Sequence, residues 1–424
     1  MNAITLKTLL KHPLISGSSI VFIGSFGSSI LAYLFNLTMI RLLSVSDYGL
    51  LTALSSLTVL FGIFQMSLVG IFAKFSAKYK AGNDDSGFAQ LYKSGLKFVL
   101  LVAGIICLLL LLGIPLFSSI FKISDVVLLV IIIFSIAISI VSAFPFGILQ
   151  GEMRFWLTSI LYIIAPIVKI ILGIMLVVLG FNVIGVLIAI LVASLIPTLI
   201  GFVIVKRDHK TDVHSKLGSS KFFTEFKKYS LYYFLASIGI SVISNADILL
   251  VRAFFIPEVS GQYAALSLMG KAIFYFTSPI YFVFFPLIVQ KNERKESYSK
   301  LLFLTIGIVF SVTGAISMFY FIFPQIVLAV FAPRSEYQAL IPYIGPFSFY
   351  MLVFSIANIF NHLFLSLNKT KVFIINLFIA FIFILAIIFF HNSLQQVITI
   401  LFTSSSLLLI LYVLYYYRVS HGKN

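Results

Sequence analysis

The chain has 424 residues, of which 61% are hydrophobic and 10% charged, and its mean hydropathy is +1.14. A soluble domain carries about 25% charged residues, so this composition excludes a water-soluble globular protein. The formal net charge of +16 would ordinarily suggest a nucleic-acid or acidic partner, but its meaning depends on where the charges lie.

Apolar stretches of about 20 residues are long enough to cross the ~30 Å hydrocarbon core of a bilayer as helices. The first stretch is too long for the apolar core of a signal peptide, so we interpret it as a retained span. The sequence predicts twelve spans, at residues 14–40, 49–72, 98–120, 125–149, 156–180, 183–205, 229–252, 261–289, 301–323, 339–366, 372–390 and 394–417.

The positions of the lysines and arginines predict the orientation of these spans. With the N-terminus inside the cell, 23 of the 29 lie in inner segments and four lie in outer loops. Short cytoplasmic loops accumulate positive charge, so we expect both termini to be cytoplasmic. The basic net charge is then a topology signal, and it argues against a nucleic-acid partner.

Two segments of the chain recur at an offset of 211 or 212 residues. Asn36–Arg41 (NLTMIR) recurs as Asp247–Arg252 (DILLVR), and Gly49–Ser55 (GLLTALS) recurs as Gly261–Ser267 (GQYAALS). An internal repeat determines how the rest of a fold is interpreted. Because six spans per half is an even number, the two halves would be related by a parallel pseudo-twofold axis.

The predicted architecture is therefore an all-α integral membrane protein with two six-helix lobes. The N-terminal lobe comprises residues 1–205 and the C-terminal lobe residues 229–424, joined by a basic cytoplasmic linker at 206–228. A substrate path between two such lobes is typical of transporters.

Two lysines fall inside predicted spans, where an ionisable group is costly and marks a candidate site. Lys169 and Lys271 both lie near the predicted bilayer centre, and neither has an equivalent in the other half of the repeat. We predict that they line a hydrated cavity and bind an anionic group such as a phosphate. The alternative is that each donates to carbonyl groups between packed helices.

Asn36 and Asp247 are equivalent positions in the repeat, about one turn from the predicted outer surface. A buried Asp247 could take up a proton or an ion, or it could pair with Arg252. The Arg41/Asp47 and Arg252/Glu258 pairs flank the same loop in each half, and we interpret them as interface structure.

Asn358, Asn361 and His362 share a predicted helix face through their i, i+3 and i+4 spacing. They could hold helices together or form part of a cavity wall, and the sequence favours neither. The sequence contains no phosphate-binding Gly-x4-Gly-Lys-Ser/Thr loop and no residue cluster with metal-site spacing. We therefore expect no metal, no nucleotide cofactor and no enzymatic activity.

Three motifs resemble those of polysaccharide flippases, a family of the multidrug/oligosaccharidyl-lipid/polysaccharide exporter superfamily. Residues 41–50 (RLLSVSDYGL) resemble the family's first-loop signature, and residues 147–155 (GILQGEMRF) resemble its loop between spans four and five. Residues 247–265 resemble its seventh and eighth spans. The resemblance covers essentially the whole chain.

This resemblance implies a MATE-like, V-shaped pair of lobes around a cationic cavity in the bacterial cytoplasmic (inner) membrane. The substrate would be an undecaprenyl-diphosphate-linked oligosaccharide, a repeat unit of O-antigen lipopolysaccharide, capsule or exopolysaccharide. It would move to the outer leaflet by alternating access, with membrane lipids around the protein. Coupling to H⁺ or Na⁺ and a partnership with polymerase or assembly proteins are open alternatives. No family motif maps onto Lys169 or Lys271.

Two other classes of protein remain as alternatives. A cation-coupled small-molecule antiporter of the same superfamily would be favoured by acidic residues inside the first lobe, whose predicted spans contain none beyond Asp125 at the first residue of the fourth span. A membrane glycosyltransferase or polymerase would need catalytic acids or arginines in a large outer loop, and the longest predicted outer loop has about 15 residues.

Overall fold

The computed structural model describes residues 13–82, 84–208, 238–367, 369 and 371–421. Within these ranges the chain is helical, with short turns and no β-strand. Helices are the expected solution for so apolar a chain, because lipid offers no hydrogen bonds to an exposed backbone. The all-α class predicted from the sequence is confirmed.

The first half of the chain forms seven helices that follow the predicted apolar stretches. They are α1 (Pro13–Leu42), α2 (Val45–Ala81), α3 (Asp85–Leu112), α4 (Ile114–Phe121), α5 (Val126–Gly151), α6 (Phe155–Val178) and α7 (Asn182–Asp208).

The second half forms seven further helices and one 3₁₀ turn at Ser335–Leu340. The helices are α8 (238–254), α9 (Pro257–Glu293), α10 (Ser299–Ile322), α11 (Pro324–Phe331), α12 (Ile341–Ser366), α13 (Val372–Phe389) and α14 (Leu394–His421).

Nine of the helical segments in the described ranges are long and apolar enough to cross a membrane. Helix α9 is not among the nine, and α1 counts only as a shorter apolar helix over Phe26–Leu42. The protein is thus a multi-pass membrane protein. The count of twelve crossings and the cytoplasmic position of the termini stay predictions, since residues 1–12 and 422–424 lie outside the described residues.

Local sequence sets where several helices begin. The Asp84 carboxylate accepts a hydrogen bond from the Gly87 backbone nitrogen at 2.8 Å, and Asp125 accepts one from Val127 at 2.9 Å. These N-caps satisfy backbone donors that a helix leaves unpaired at its start. The bonds from Gly87 and Ser86 lower the pKa of the Asp84 carboxyl group.

The described chain divides into two compact units. The first contains the described parts of Met1–Thr38 and Phe61–Phe234, and the second contains Met39–Leu60 and the described part of Leu235–Asn424. Residues 39–60, which the sequence analysis placed in the first lobe, therefore pack with the second unit. The lobe boundaries stay a prediction, and most of the predicted linker at 206–228 lies outside the described residues.

Each unit is organised around one central helix. In the first unit α5 packs against α3 and α7, while α6 packs along α7. In the second unit α12 packs against α9, α10 and α14. Both α5 and the segment that contains α12 have an apolar stretch in which 50% of the residues are buried within the protein.

The order of elements recurs in the two units, as expected for a duplicated chain. A long helix, α3 or α10, is followed by an eight-residue helix, α4 or α11, that carries a proline in its first turn. Three long helices then complete each series, α5–α7 in the first unit and α12–α14 in the second.

Candidate functional site

Lys169 lies in the first unit, past the middle of α6. It is 14 residues beyond the start of the helix at Phe155, or about 21 Å at the helical rise of 1.5 Å per residue. Its Nζ is 4.0 Å from the centroid of the Phe35 ring on α1, and Phe35 is only 1% exposed. A cation this close to the face of an aromatic ring is stabilised by about 0.5–2 kcal/mol.

Among the described residues of the first unit, no acidic residue lies in the middle of a helix, as Lys169 does. The described acids occupy helix ends or connections; they are Asp84, Asp85, Asp125, Glu152 and Asp208. Among the described residues, the Lys169 ammonium group contacts the Phe35 ring and forms no ion pair. Lys169 is partly buried, and a cation in apolar surroundings without an acidic neighbour is costly, so this position favours an anionic ligand.

A polar cluster between α2 and α5 adds hydrogen-bonding groups to the first unit. Gln65 Nε2 donates to Ser142 Oγ at 2.8 Å, and Ser139 Oγ donates to Gln65 Oε1 at 2.9 Å. These residues were not predicted from the sequence, although the i, i+3 spacing of Ser139 and Ser142 places both on one helix face. Asn36 does not join them, because its side chain donates to the Ala32 carbonyl of its own helix at 2.8 Å.

Lys271 and Asp247 face each other in the second unit. Nζ of Lys271 on α9 lies 4.0 Å from Oδ1 of Asp247 on α8. The Asp247 side chain is fully buried, while that of Lys271 is 18% exposed. The sequence suggested Arg252 as a possible partner for Asp247, but the structure shows an ion pair with Lys271 instead.

Two tyrosines complete the surroundings of Asp247. The Tyr263 hydroxyl donates to Asp247 Oδ2 at 2.8 Å. Tyr350 on α12 interacts electrostatically with the same carboxylate, and its hydroxyl has no hydrogen-bond partner among the described residues. Neither tyrosine was predicted, because contacts between distant helices leave no periodic signal in one sequence.

The four charged residues predicted as interface pairs lie at helix ends. Arg41 and Arg252 are near the C-terminal ends of α1 and α8, and Asp47 and Glu258 are in the first turns of α2 and α9. Arg252 is 4% exposed and interacts electrostatically with Glu258 and Asp47. Arg41, in contrast, donates from Nη2 to the Val330 carbonyl oxygen at 2.6 Å. Glu258 and Asp47 thus share Arg252.

Arg334 makes a reciprocal contact at the same place. It donates from Nη1 to the Leu43 carbonyl at 2.6 Å and from Nη2 to the Arg41 carbonyl at 2.8 Å. These carbonyls belong to the C-terminal end of α1, while Val330 belongs to the last turn of α11. Arg334 therefore caps the C-terminal end of α1, and Arg41 caps that of α11. Carbonyl groups at these ends lack intrahelical donors and favour cations.

The three polar residues predicted to share a face of α12 do not contact a common neighbour in the structure; they are Asn358, Asn361 and His362. Asn361 Oδ1 accepts from Nδ2 of Asn376 on α13 at 3.2 Å, and Tyr412 on α14 donates to Asn376 Oδ1. His362 instead stacks on Tyr281 of α9, with ring centroids 5.3 Å apart. Asn358 is 6% exposed, and the structure shows no bond that joins it to the other two.

The segment at residues 147–155 joins α5 to α6 and packs tightly on α2. A Cβ built on Gly147 would lie 2.8 Å from the Val69 carbonyl oxygen, and one on Gly151 would overlap the Ala73 carbonyl. Glu152 follows at the helix end, with Oε2 3.1 Å from Arg154 Nε. The motif is therefore a helix-packing and ion-pairing element.

Comparison with solved structures identifies the fold. An inward-facing multidrug resistance MATE family transporter of the MOP superfamily matches with a TM-score of 0.75 at 15% identity, over 93% of this chain and 94% of that one. An aspartate-to-asparagine mutant of the Vibrio cholerae MATE transporter VcmN matches with a TM-score of 0.67 at 16% identity, over 96% and 98%. The predicted MATE-like fold is confirmed.

A third structure is a MOP superfamily transporter from Pyrococcus furiosus, described as having a binding pocket of reverse polarity that suggests a different function. It matches with a TM-score of 0.59 at 17% identity, over 95% of both chains. At these identities the similarity establishes the fold alone.

The sequence comparisons place the chain in a family. No protein of curated function matches it. Residues 14–292 match the family described as "Polysaccharide biosynthesis protein", and this match spans more than half of the chain. The protein therefore belongs to the polysaccharide biosynthesis protein family and has the fold of MATE transporters of the MOP superfamily.

Proposed function

We propose that the protein moves an undecaprenyl-diphosphate-linked oligosaccharide from the cytoplasmic to the outer leaflet of the bacterial inner membrane by alternating access. The main support is Lys169, a cation deep in α6 that packs on Phe35 at 4.0 Å. A substrate that carries a diphosphate would supply the counter-ion that the described part of this unit does not.

The sign of the charged groups in the first unit distinguishes transport of an anionic lipid-linked substrate from export of cationic drugs. A site for cationic small molecules would be expected to carry unpaired acids, whereas the described acids of the first unit lie at helix ends or in connections. Asp247 in the second unit is the one observation that favours an antiporter, but its charge is balanced by Lys271 at 4.0 Å. The Pyrococcus furiosus transporter is a precedent for a changed pocket polarity within this fold.

The substrate would be a repeat unit of O-antigen, capsule or exopolysaccharide, and both termini would be cytoplasmic. The family match supports a role in glycan assembly, and it is compatible with a polymerase or another assembly protein as partner. Coupling to a proton or a sodium ion belongs to the same proposal. The protein itself would catalyse no covalent step.

The experiment that tests this proposal is deletion of the gene followed by a leaflet-resolved assay of the lipid-linked precursor. We expect the precursor to accumulate on the inner leaflet, and complementation with the wild-type chain to restore its outer pool. A normal distribution of precursor together with new drug sensitivity would support the antiporter instead.

A further inference from the structure

We propose that Asp247 competes with the substrate's anionic group for Lys271, and that it thereby selects a group carrying more than one negative charge. This inference rests on the proposed function, because it assigns the substrate's diphosphate to the accessible side of Lys271. Asp247 would set the substrate specificity of this site.

The ion pair is loose. Nζ of Lys271 lies 4.0 Å from Asp247 Oδ1, beyond the ~2.7–2.9 Å of a charge-assisted hydrogen bond. Oδ1 has no hydrogen-bond partner among the described residues. The two charges attract each other without a directed bond, so a ligand that hydrogen-bonds to the ammonium group can replace the carboxylate.

The two partners differ in how far they can move. Asp247 is fully buried, and the Tyr263 hydroxyl holds its Oδ2 at 2.8 Å. Lys271 is 18% exposed and has a flexible four-carbon stem. The ammonium group can therefore turn toward an anion on its accessible side, while the carboxylate stays in place.

The charge balance around Asp247 determines what happens when Lys271 turns away. Among the described residues, the titratable groups recorded as interacting with the carboxylate are Tyr263 and Lys271 from α9 and Tyr350 from α12. Lys271 is the one cation in this set. Without it, the Asp247 carboxylate is left as a buried charge without a counter-ion, and the incoming anion must outweigh that cost.

This competition discriminates between ligands by their charge. A singly charged anion offers Lys271 the same charge that Asp247 already provides, so the exchange gains little electrostatic energy. A diphosphate offers a larger charge and more acceptor oxygens, so it displaces the carboxylate more readily. Lys169 forms no ion pair in the described part of its unit, so we assign the discrimination between singly and multiply charged anions to Lys271.

Binding measurements on the purified full chain in an uncharged detergent test the proposal. The probes are farnesyl diphosphate and farnesyl monophosphate, titrated calorimetrically. We expect Asp247→Asn to tighten monophosphate binding about tenfold and diphosphate binding less, which narrows the ratio of the two affinities. Lys271→Gln should weaken both. Asp85→Asn, at the exposed start of α3, is the matched control and should change neither.

A second readout does not depend on the Asp247 variant. The wild-type chain should bind farnesyl diphosphate at least about tenfold more tightly than farnesyl monophosphate, and Lys271→Gln should reduce this ratio of affinities. Equal ratios for the wild type and Lys271→Gln would overturn the proposal, even if Asp247→Asn failed to fold.

The possible failures can be told apart. If Lys271→Gln weakens binding while Asp247→Asn leaves both affinities unchanged, the competition is wrong and the anion site stands. If Asp247→Asn weakens binding, the acid positions the lysine instead, and the competition is again wrong. If neither Lys169→Gln nor Lys271→Gln changes binding, the anionic substrate of the proposed function is wrong as well.

Discussion

Gly49 and Gly261, which occupy equivalent positions in the two repeats, touch each other through their backbones. A Cβ built on Gly49 would lie 2.6 Å from the backbone nitrogen of Gly261, and one on Gly261 would overlap the Val45 carbonyl oxygen. Both glycines belong to the second unit, and the close approach of their backbones leaves no room for a side chain at either position. This contact explains why the repeat keeps a glycine at both positions.

The first prediction concerns this contact. Gly261→Ala should lower the thermal unfolding temperature in detergent, because the new methyl group must displace backbone and such overpacking costs typically 1–3 kcal/mol. Gly62→Ala on α2 is the control, since a Cβ there meets nothing within 4 Å. It should be neutral or slightly stabilising, because alanine favours a helix more than glycine. Equal unfolding temperatures for the two variants would contradict the close contact.

The second prediction compares two arginines. Arg334 bonds two carbonyl groups through separate nitrogens, whereas Arg41 bonds one. A lysine can reach one of two separated acceptors, so Arg334→Lys should lower the unfolding temperature more than Arg41→Lys does. Thermal denaturation of the two single variants checks this order, and the reverse order would show that the helix-end carbonyls are not the main partners.

The third prediction concerns the ion pairs of Glu152. Its side chain is 1% exposed, with Arg154 at 3.1 Å and the half-exposed Lys80 at 3.8 Å. Arg154 is the closer and less exposed partner, so it balances the buried Glu152 charge more strongly than the half-exposed Lys80 does. Arg154→Gln should therefore lower the unfolding temperature clearly, while Lys80→Gln changes it little. A larger loss with Lys80→Gln would place the important contact elsewhere.

The fourth prediction separates stability from transport. Tyr412 is buried and donates to Asn376 Oδ1 on the neighbouring helix. Tyr412→Phe removes that donor, which should destabilise the protein by about 1–3 kcal/mol and leave the transport rate per folded molecule unchanged. Tyr415→Phe on the same helix is the control, because its contact with Phe364 is made by the ring and not by the hydroxyl group. A transport defect in a fully folded Tyr412→Phe protein would give this cluster a functional role.

The helices could be predicted from the sequence because lipid imposes them on every long apolar run. The repeat likewise indicated which residues are equivalent, although it could not show that Gly49 and Gly261 meet. Asp247 illustrates the limit more sharply. Arg252, five residues away, was an available partner, but the ion pair forms with Lys271 on the next helix. Contacts between helices depend on how they rotate and pack, which one sequence does not reveal.

The aromatic residues show the same limit. The sequence contains 46 phenylalanines, and nothing in their positions indicates that Phe35 is the one that lies against Lys169 at 4.0 Å. Asn361 and His362 were predicted to share a face, but neighbouring positions on a helix point about 100° apart, and the two contact different helices. Spacing alone could not decide which neighbour each side chain meets.

The proposed function requires the chain to translocate a diphosphate-linked glycan lipid with the help of Lys169. Its most direct test is a flipping assay in vesicles that contain the purified protein and a lipid-linked oligosaccharide, with the outward-facing fraction measured over time. The wild type and the exposed-lysine control Lys97→Gln should translocate the lipid at similar rates, and Lys169→Gln should be at least about tenfold slower at equal protein abundance. If the wild type moves no lipid, or Lys169→Gln moves it at the wild-type rate, the account is wrong.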